Sequence, residues 1–424
     1  MKLFIRAAKL IDRSSTFHNQ LVDIHIVSGK IEQIGSNLKV PENTPIFEAE
    51  NLHVSAGWFD LRANFSDPGN EHKETIQTGI KAAAAGGFTG VALSPATSPV
   101  IDSKSLVEYI QNQARGQQVS VYPMGTVSKQ MEGKELAELH DMSTSGAIAF
   151  TDDKKSVQNP NLLKTALLYC KSFDGLVVQY PNQFELSYKG MMHEGEESTH
   201  LGMKGIPALA EEIMVNRDIY LTDYTEGKLH FSTISTSGSV TLIKEAKKAQ
   251  ISVTADVCAL NLLLDDSELQ EFDTRFKLMP PLRDKKHINA LIKGLKSNTI
   301  DAICSDHQPE DIELKKREFE HAAFGSINLQ TAFSVANTAL KNQMELTDLI
   351  EKFTLNPRTI LGLPAVKIKA GEMANLTFFN PELEWSLDKK SVLSKSKNSP
   401  LFGRKLIGKP LGIIHQNQST LPKK

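Results

Sequence analysis

The chain has 424 residues, with 48 Lys and Arg against 50 Asp and Glu and a formal net charge of −2. That balance, with no basic stripe and no acidic tail, leaves no electrostatic footprint for nucleic acid. The length is enough to bury a large core and fits one large domain plus a small one.

The first apolar run, Leu3–Ile5, is too short for a signal peptide, and no segment is long and apolar enough to span a bilayer. Cys170, Cys258 and Cys304 stand far apart, in no metal-type spacing, and read as reduced core thiols. A cytoplasmic protein that binds neither nucleic acid nor membrane is expected.

Residues 1–54 alternate apolar and polar positions in short runs, with a turn signal at Ser28-Gly29-Lys30, and predict a small antiparallel β unit. From 55 to about 365 the pattern becomes strand, helix, strand, helix. Strand-like runs start near Gly90, Val119, Gly146, Leu176, Lys228, Ile251 and Ile300. Helices are predicted over Glu74–Gly86, Asn161–Lys171, Gly205–Arg217, Ser239–Ala249 and His287–Leu295. Repeated βα units in this number predict an α/β fold, a (β/α)8 TIM-type barrel. From 366 to 424 short strands return, and they are expected to join residues 1–54 in one small β-sandwich built from both termini. Ser391–Lys397 reads only as a polar loop.

The most informative stretch runs from Ser55 to Gly69. On a strand, Asp60, Arg62, Asn64 and Ser66 share one face, with Leu61, Ala63 and Phe65 on the other. A polar row at the end of a buried strand is how a barrel presents its chemistry.

This stretch resembles the first barrel strand of the dihydroorotases, which are cyclic amidohydrolases. Gly57, Asp60, Pro68 and Gly69 match the family frame, and the likeness extends along almost the whole chain. It includes Gly190–Gly195, Lys277–Arg283, Asp301–Pro309, Asn356-Pro-Arg and Gly371–Leu376. The resemblance implies zinc-assisted hydrolysis of a cyclic amide, with an Asp from the last barrel strand moving the proton.

Matched residue by residue, the working positions have changed. The four metal-binding His of the family correspond to Arg62, Asn64, Gln179 and Thr233. Arginine cannot surrender its proton to act as a ligand, and Gln and Thr are poor zinc ligands. Only His230 of the second His motif remains. The substrate-binding Arg and Asn of the family correspond to Ser66 and Ala96. The family's Pro-His-His-Leu reads Ala259-Leu-Asn-Leu262, its Asn before Pro280 is Met279, and its His after Pro309 is Glu310. Three carboxylates are retained: Asp152, Asp153 and the catalytic-type Asp306, whose expected role is structural and vestigial.

A metal-free member without cofactor is therefore expected, non-catalytic and acting as a structural partner of aspartate carbamoyltransferase, with self-association also expected. Two alternatives remain: an active dihydroorotase or related cyclic amidohydrolase with altered ligands, and a metal-free small-molecule binder. Arg62 is expected to replace the metal electrostatically by pairing with Asp306 or with the Asp152–Asp153 pair; otherwise it turns outward to solvent.

Overall fold

A computed structural model of the chain describes residues 1–421. The N-terminal strands are β1 (Lys2–Ile11), β2 (Leu21–Val27), β3 (Lys30–Gly35), β4 (Ile46–Phe47) and β5 (His53–Ala56). Gly57 alone separates β5 from the first barrel strand, β6 (Trp58–Ala63). A Cβ there would lie 1.9 Å from Asn375 Oδ1, so only glycine lets the two segments pass so closely.

The barrel continues with β7 (Phe88–Leu93) and β8 (Ser120–Pro123), followed by a short extended run through Phe150 and by β9 (Val177–Gln179). A two-residue pair, β10 (Met192–His193) and β11 (Gly205–Ile206), stands apart from it. The circuit is completed by β12 (Leu229–Phe231), β13 (Val253–Cys258) and β14 (Ala302–Cys304). All neighbouring pairs are parallel, with Phe150 bridging Gly125 on one side and Val177 on the other. A parallel bridge from Ala63 to His307 closes the eighth strand onto the first. Parallel strands buried on both faces need apolar residues at successive positions, and every residue of β6 and β7 is buried.

Helices lie between the strands as the periodicity predicts, for example Ile76–Ala85, Pro160–Lys171, Ser237–Lys248 and Lys285–Lys296. Two local readings differ. The helix expected over Gly205–Arg217 is Ala208–Thr225: Gly205 and Ile206 pair with β10, and Pro207, with no N–H to lose, sits as the N-cap. The row of polar residues leaves the strand at Ala63. There Asn64 Oδ1 accepts the backbone N–H of Ser66 at 2.7 Å and Ser66 turns into the left-handed region at φ 58°.

The C-terminal strands β15 (Leu376–Ser386), β16 (Lys405–His415) and β17 (Gln418–Ser419) join the N-terminal ones in one eight-stranded sheet. β15 pairs antiparallel with β5, which runs parallel to β1. This sheet has its own apolar core, including Ile5, Leu10, Ile24, Val54, Phe378 and Ile414. The three cysteines are free and buried. Among the described residues no helix is long and apolar enough to cross a membrane.

Sheet and barrel meet at Trp58. Its ring lies 4.6 Å from that of Phe333 on the barrel and 5.3 Å from that of Phe379 on β15, and its indole N–H donates to Ser55 Oγ at 2.9 Å. Trp58→Ala empties this fully buried junction and is expected to lower stability by about 3–5 kcal/mol, read as a fall in the urea midpoint. An unchanged midpoint would show that the two units do not depend on this contact.

Candidate functional site

The C-terminal ends of three barrel strands converge on one guanidinium. Arg62, near the end of β6, is 3 % exposed. Its Nε and Nη2 donate to Asp153 Oδ1 at 2.8 and 2.6 Å, and its Nη1 donates to Asp306 Oδ1. Asp153 follows the strand run through Phe150, and Asp306 follows β14. Of the two partners expected for Arg62, the structure supplies both Asp306 and Asp153.

Asp152 lies outside this group. Its carboxylate accepts the backbone N–H groups of Val127 and Ser128, each at 2.9 Å, and the Ser128 hydroxyl. It fixes a loop, and burial pushes its pKa up despite those bonds. Asp153 itself takes a left-handed conformation, φ 50°. Thr233 and Asp306, at φ 54° and 49°, do the same at the ends of their strands. For the β-branched Thr233 this conformation is costly, and Asp256 holds it by accepting the Thr233 N–H at 2.6 Å.

Lys154, the residue directly after Asp152 and Asp153, supplies a second cation. Lys154 Nζ lies 3.2 Å from Asp306 Oδ1, donates to Thr233 Oγ1 at 3.1 Å, and stands 4.3 Å from the centre of the Tyr180 ring. A lysine directly after two aspartates at a strand end was the available signal. Two cations now face two carboxylates. Burial works against the charge of Asp153, yet Arg62 and Lys154 hold its pKa below the usual carboxylate value. Burial likewise opposes charge on Arg62, and Asp153 and Asp306 more than offset it. Lys154 is held below the usual lysine value by burial and by Arg62.

The other altered positions point to protein groups. Asn64 bonds to Ser66 and, at 3.4 Å, to the Ala96 carbonyl, so three of the changed positions satisfy one another. Gln179 accepts the Val157 N–H at 3.2 Å and donates to the Val157 carbonyl at 3.3 Å. His230 spans Thr254 and Asp256 inside the barrel, at 2.8 and 3.0 Å. His307 reaches Glu74 at 3.4 Å and accepts the Asn328 N–H at 3.1 Å. Glu310 pairs with Lys73 at 2.8 Å. Asp60, beneath Arg62, accepts the N–H and hydroxyl of Ser305, both at 2.6 Å, and burial pushes its pKa up to about 7.

Beside the ion group lies a cavity of about 420 Å3, reached by Lys154 and Asp306 and walled by Phe184, Tyr188, Leu260 and Met279 among others. The loop read as merely polar is fastened over the barrel mouth. Ser394 Oγ and the Lys395 N–H donate to Glu74, and Asn398 Nδ2 donates to the carbonyls of Gln308 and Gly325, both at 3.1 Å.

Away from the mouth, His193, Asp284 and His287 bring possible ligand atoms within 4.8 Å of one another. His287 Nδ1 accepts the Ser237 N–H at 2.9 Å, and His193 Nδ1 accepts from Arg283 at 3.0 Å. The remaining proton of each neutral ring therefore sits on Nε2, which leaves no lone pair there for a metal. Burial, reinforced by Arg283, lowers both pKa values, that of His193 to about 4.

The family model for dihydro-orotase-like proteins matches residues 53–239, and that of the amidohydrolase family matches residues 191–405. A dihydroorotase of Acetivibrio thermocellus is 40% identical over 409 residues, 96% of each chain. One of Ruminiclostridium cellulolyticum is 39% identical over 428 residues, covering 100% of this chain and 99% of its own length. Among solved structures, an L-hydantoinase (dihydropyrimidinase) from Arthrobacter aurescens superposes with a TM-score of 0.86 at 19% identity, covering 99% of this chain and 96% of its own. That likeness is one of fold, a TIM barrel with a β-sandwich.

Removing Arg62 leaves two buried carboxylates with Lys154 alone, and Arg62→Ala is expected to cost about 3–5 kcal/mol at neutral pH. Asp153 holds its proton more weakly folded than unfolded. Its contribution is thus complete above the unfolded carboxylate value of about 4 and is lost as pH falls through the lower folded value. Urea midpoints of parent and variant should converge on acidification, and Asp306→Asn in the Arg62→Ala background should recover part of the loss. A constant gap down to acid pH would contradict the pairing.

Proposed function

The chain belongs to the dihydroorotase family of the amidohydrolases, and from that premise we propose that it serves pyrimidine biosynthesis without hydrolysing dihydroorotate, as a structural partner of aspartate carbamoyltransferase. The observation that carries this reading is the double pairing of Arg62. The family mechanism needs a zinc ion to polarise the amide carbonyl and activate water. The donors that would hold it do not fit. Arg62 and Lys154 already occupy the carboxylates of Asp153 and Asp306. A fixed guanidinium repels a dication, and the amides of Asn64 and Gln179 are engaged with protein groups. Without metal, no group among the described residues at the mouth supplies an activated water, and both oxygens of Asp306 are engaged with cations. Ser66 and Ala96 carry neither the charge nor the amide that the family uses to anchor substrate.

What remains is a barrel closed by the Ala63–His307 bridge and joined to its sheet. The relatives match it over nearly their whole length. That combination supports a scaffold role beside the enzyme of the preceding step. A second reading, a metal-free binder of a small molecule, is supported by the apolar cavity beside Lys154. There an anionic headgroup would meet the lysine and an apolar body would meet Phe184 and Met279.

Protein purified with zinc present is expected to hold no stoichiometric zinc by elemental analysis and to give no dihydroorotate hydrolysis above the uncatalysed rate. It is also expected to co-purify with aspartate carbamoyltransferase from its own cells. Tightly held zinc with turnover on the usual enzymatic scale, about 1 to 1000 per second, would establish the active alternative. Saturable small-molecule binding that is abolished by Lys154→Ala, without the transferase, would establish the binder.

A further inference from the structure

Six cationic side chains are buried among the described residues: Arg62, Lys277, Arg283, Lys315, Lys352 and Arg358. Five of them donate to oxygen acceptors of the protein. Arg358, on the last barrel helix Leu355–Ile360, is the exception. It is 7 % exposed, its Nε is enclosed without a hydrogen-bond partner, and no carboxylate among the described residues pairs with it. Its guanidinium lies 5.5 Å from the centre of the Phe59 ring. The phenol of Tyr122 and the imidazole of His415 are near enough to feel its charge, and neither supplies a counter-charge. Burial and Arg358 itself push the pKa of His415 down to about 4. A cation taken out of water is costly unless it is paired, and attraction to one aromatic face does not replace the hydration of a guanidinium.

Arg358 lines a cavity of about 420 Å3 between the end of β1 and the helices Leu346–Glu351 and Leu355–Ile360. The cavity sits at the N-terminal end of the barrel, where Ala56 leads into β6, and not at the mouth that holds Arg62. That end of a barrel ordinarily serves stability and carries no chemistry, so an unpaired cation there has no part in the family reaction. The wall is largely apolar, from Ile11, Ala56, Ile350, Leu355 and Val366. An apolar wall with a convergent charge is the make-up of a small-molecule site. We infer that this cavity binds a small monocarboxylate with an apolar body, its headgroup accepting from Arg358 and its chain lying against the aliphatic wall. Other charges on the wall set the selectivity. Arg13 is committed to Asp348 and Glu351, at 2.5 and 2.8 Å, which leaves Arg358 as the buried cation without an anion. Asp12 Oδ1 accepts the N–H and hydroxyl of Ser14 at 2.9 and 2.7 Å, while its Oδ2 has no partner. That uncompensated negative charge on the same wall disfavours a dianion such as phosphate.

Calorimetric titration of the full chain with hexanoate is expected to give saturable binding at a single site per chain. Neutral hexanamide, of the same shape, and inorganic phosphate should each bind at least ~10-fold more weakly. Arg358→Met keeps an apolar stem on Phe59 and removes the charge. It should abolish the binding, yet leave the urea midpoint of the ligand-free protein equal to or above that of the parent, because the parent buries a charge without its counter-charge. An Arg358 that is purely structural lowers that midpoint when replaced. Absence of saturable binding, phosphate or hexanamide bound as tightly as hexanoate, binding that survives Arg358→Met, or a lower ligand-free midpoint in that variant would each overturn the inference. So would loss of binding in Lys154→Ala, which would place the ligand at the barrel mouth.

Discussion

The mouth of this barrel is organised by the need to neutralise buried carboxylates. Asp153 and Asp306 stand at the ends of two strands, and charge of one sign cannot gather in a low-dielectric site without a counter-charge. Arg62 answers both from a third strand, so a single planar cation ties the first, fourth and eighth strands together. The planar fork suits this task, because its donors reach two acceptors in fixed directions. Lys154 completes the balance and is in turn steered by Thr233 and Tyr180. Below this group, the Asp60–Ser305 bonds and the Ala63–His307 bridge close the barrel at the same seam.

An ion group of this kind has consequences for chemistry. A zinc site supplies positive charge together with an exchangeable water; a guanidinium supplies the charge alone. A guanidinium can therefore hold such a scaffold together without contributing a water. The left-handed residues at the strand ends, Asp153, Thr233 and Asp306, still direct their side chains into the mouth.

Most of the architecture was legible in the sequence because strand and helix periodicities differ and alternate along the chain. The family frame at Gly57, Asp60, Pro68 and Gly69 located the first barrel strand, and the substitution of a cation for an imidazole at Arg62 carried its own electrostatic argument. What sequence could not supply was direction. Asp152 and Asp153 are adjacent and chemically identical, and only the folded chain distinguishes the one that reaches Arg62 from the one that binds the Val127–Ser128 loop. Lys154 carries no signal of its own in the sequence beyond following two aspartates, and its distance to Asp306 gives it a role. The segment around Ser394 looked like solvent-exposed loop because polar residues that bind a buried carboxylate have the same composition as polar residues that bind water.

The terminal sheet imposes an order on synthesis. β5 is flanked by β1 on one side and by β15 on the other, and β15 is encoded near the end of the chain. While the ribosome produces the barrel, the β5 edge has no partner, and an unpaired edge is a template for pairing with foreign strands. The fastening of Ser394 and Asn398 to the barrel mouth arrives in the same late portion of the message. Nascent chains that stall after the barrel and before Leu376 thus carry an open sheet and an unlatched mouth together, and such truncated products belong to the clientele of chaperones and proteases rather than to the pool of working protein.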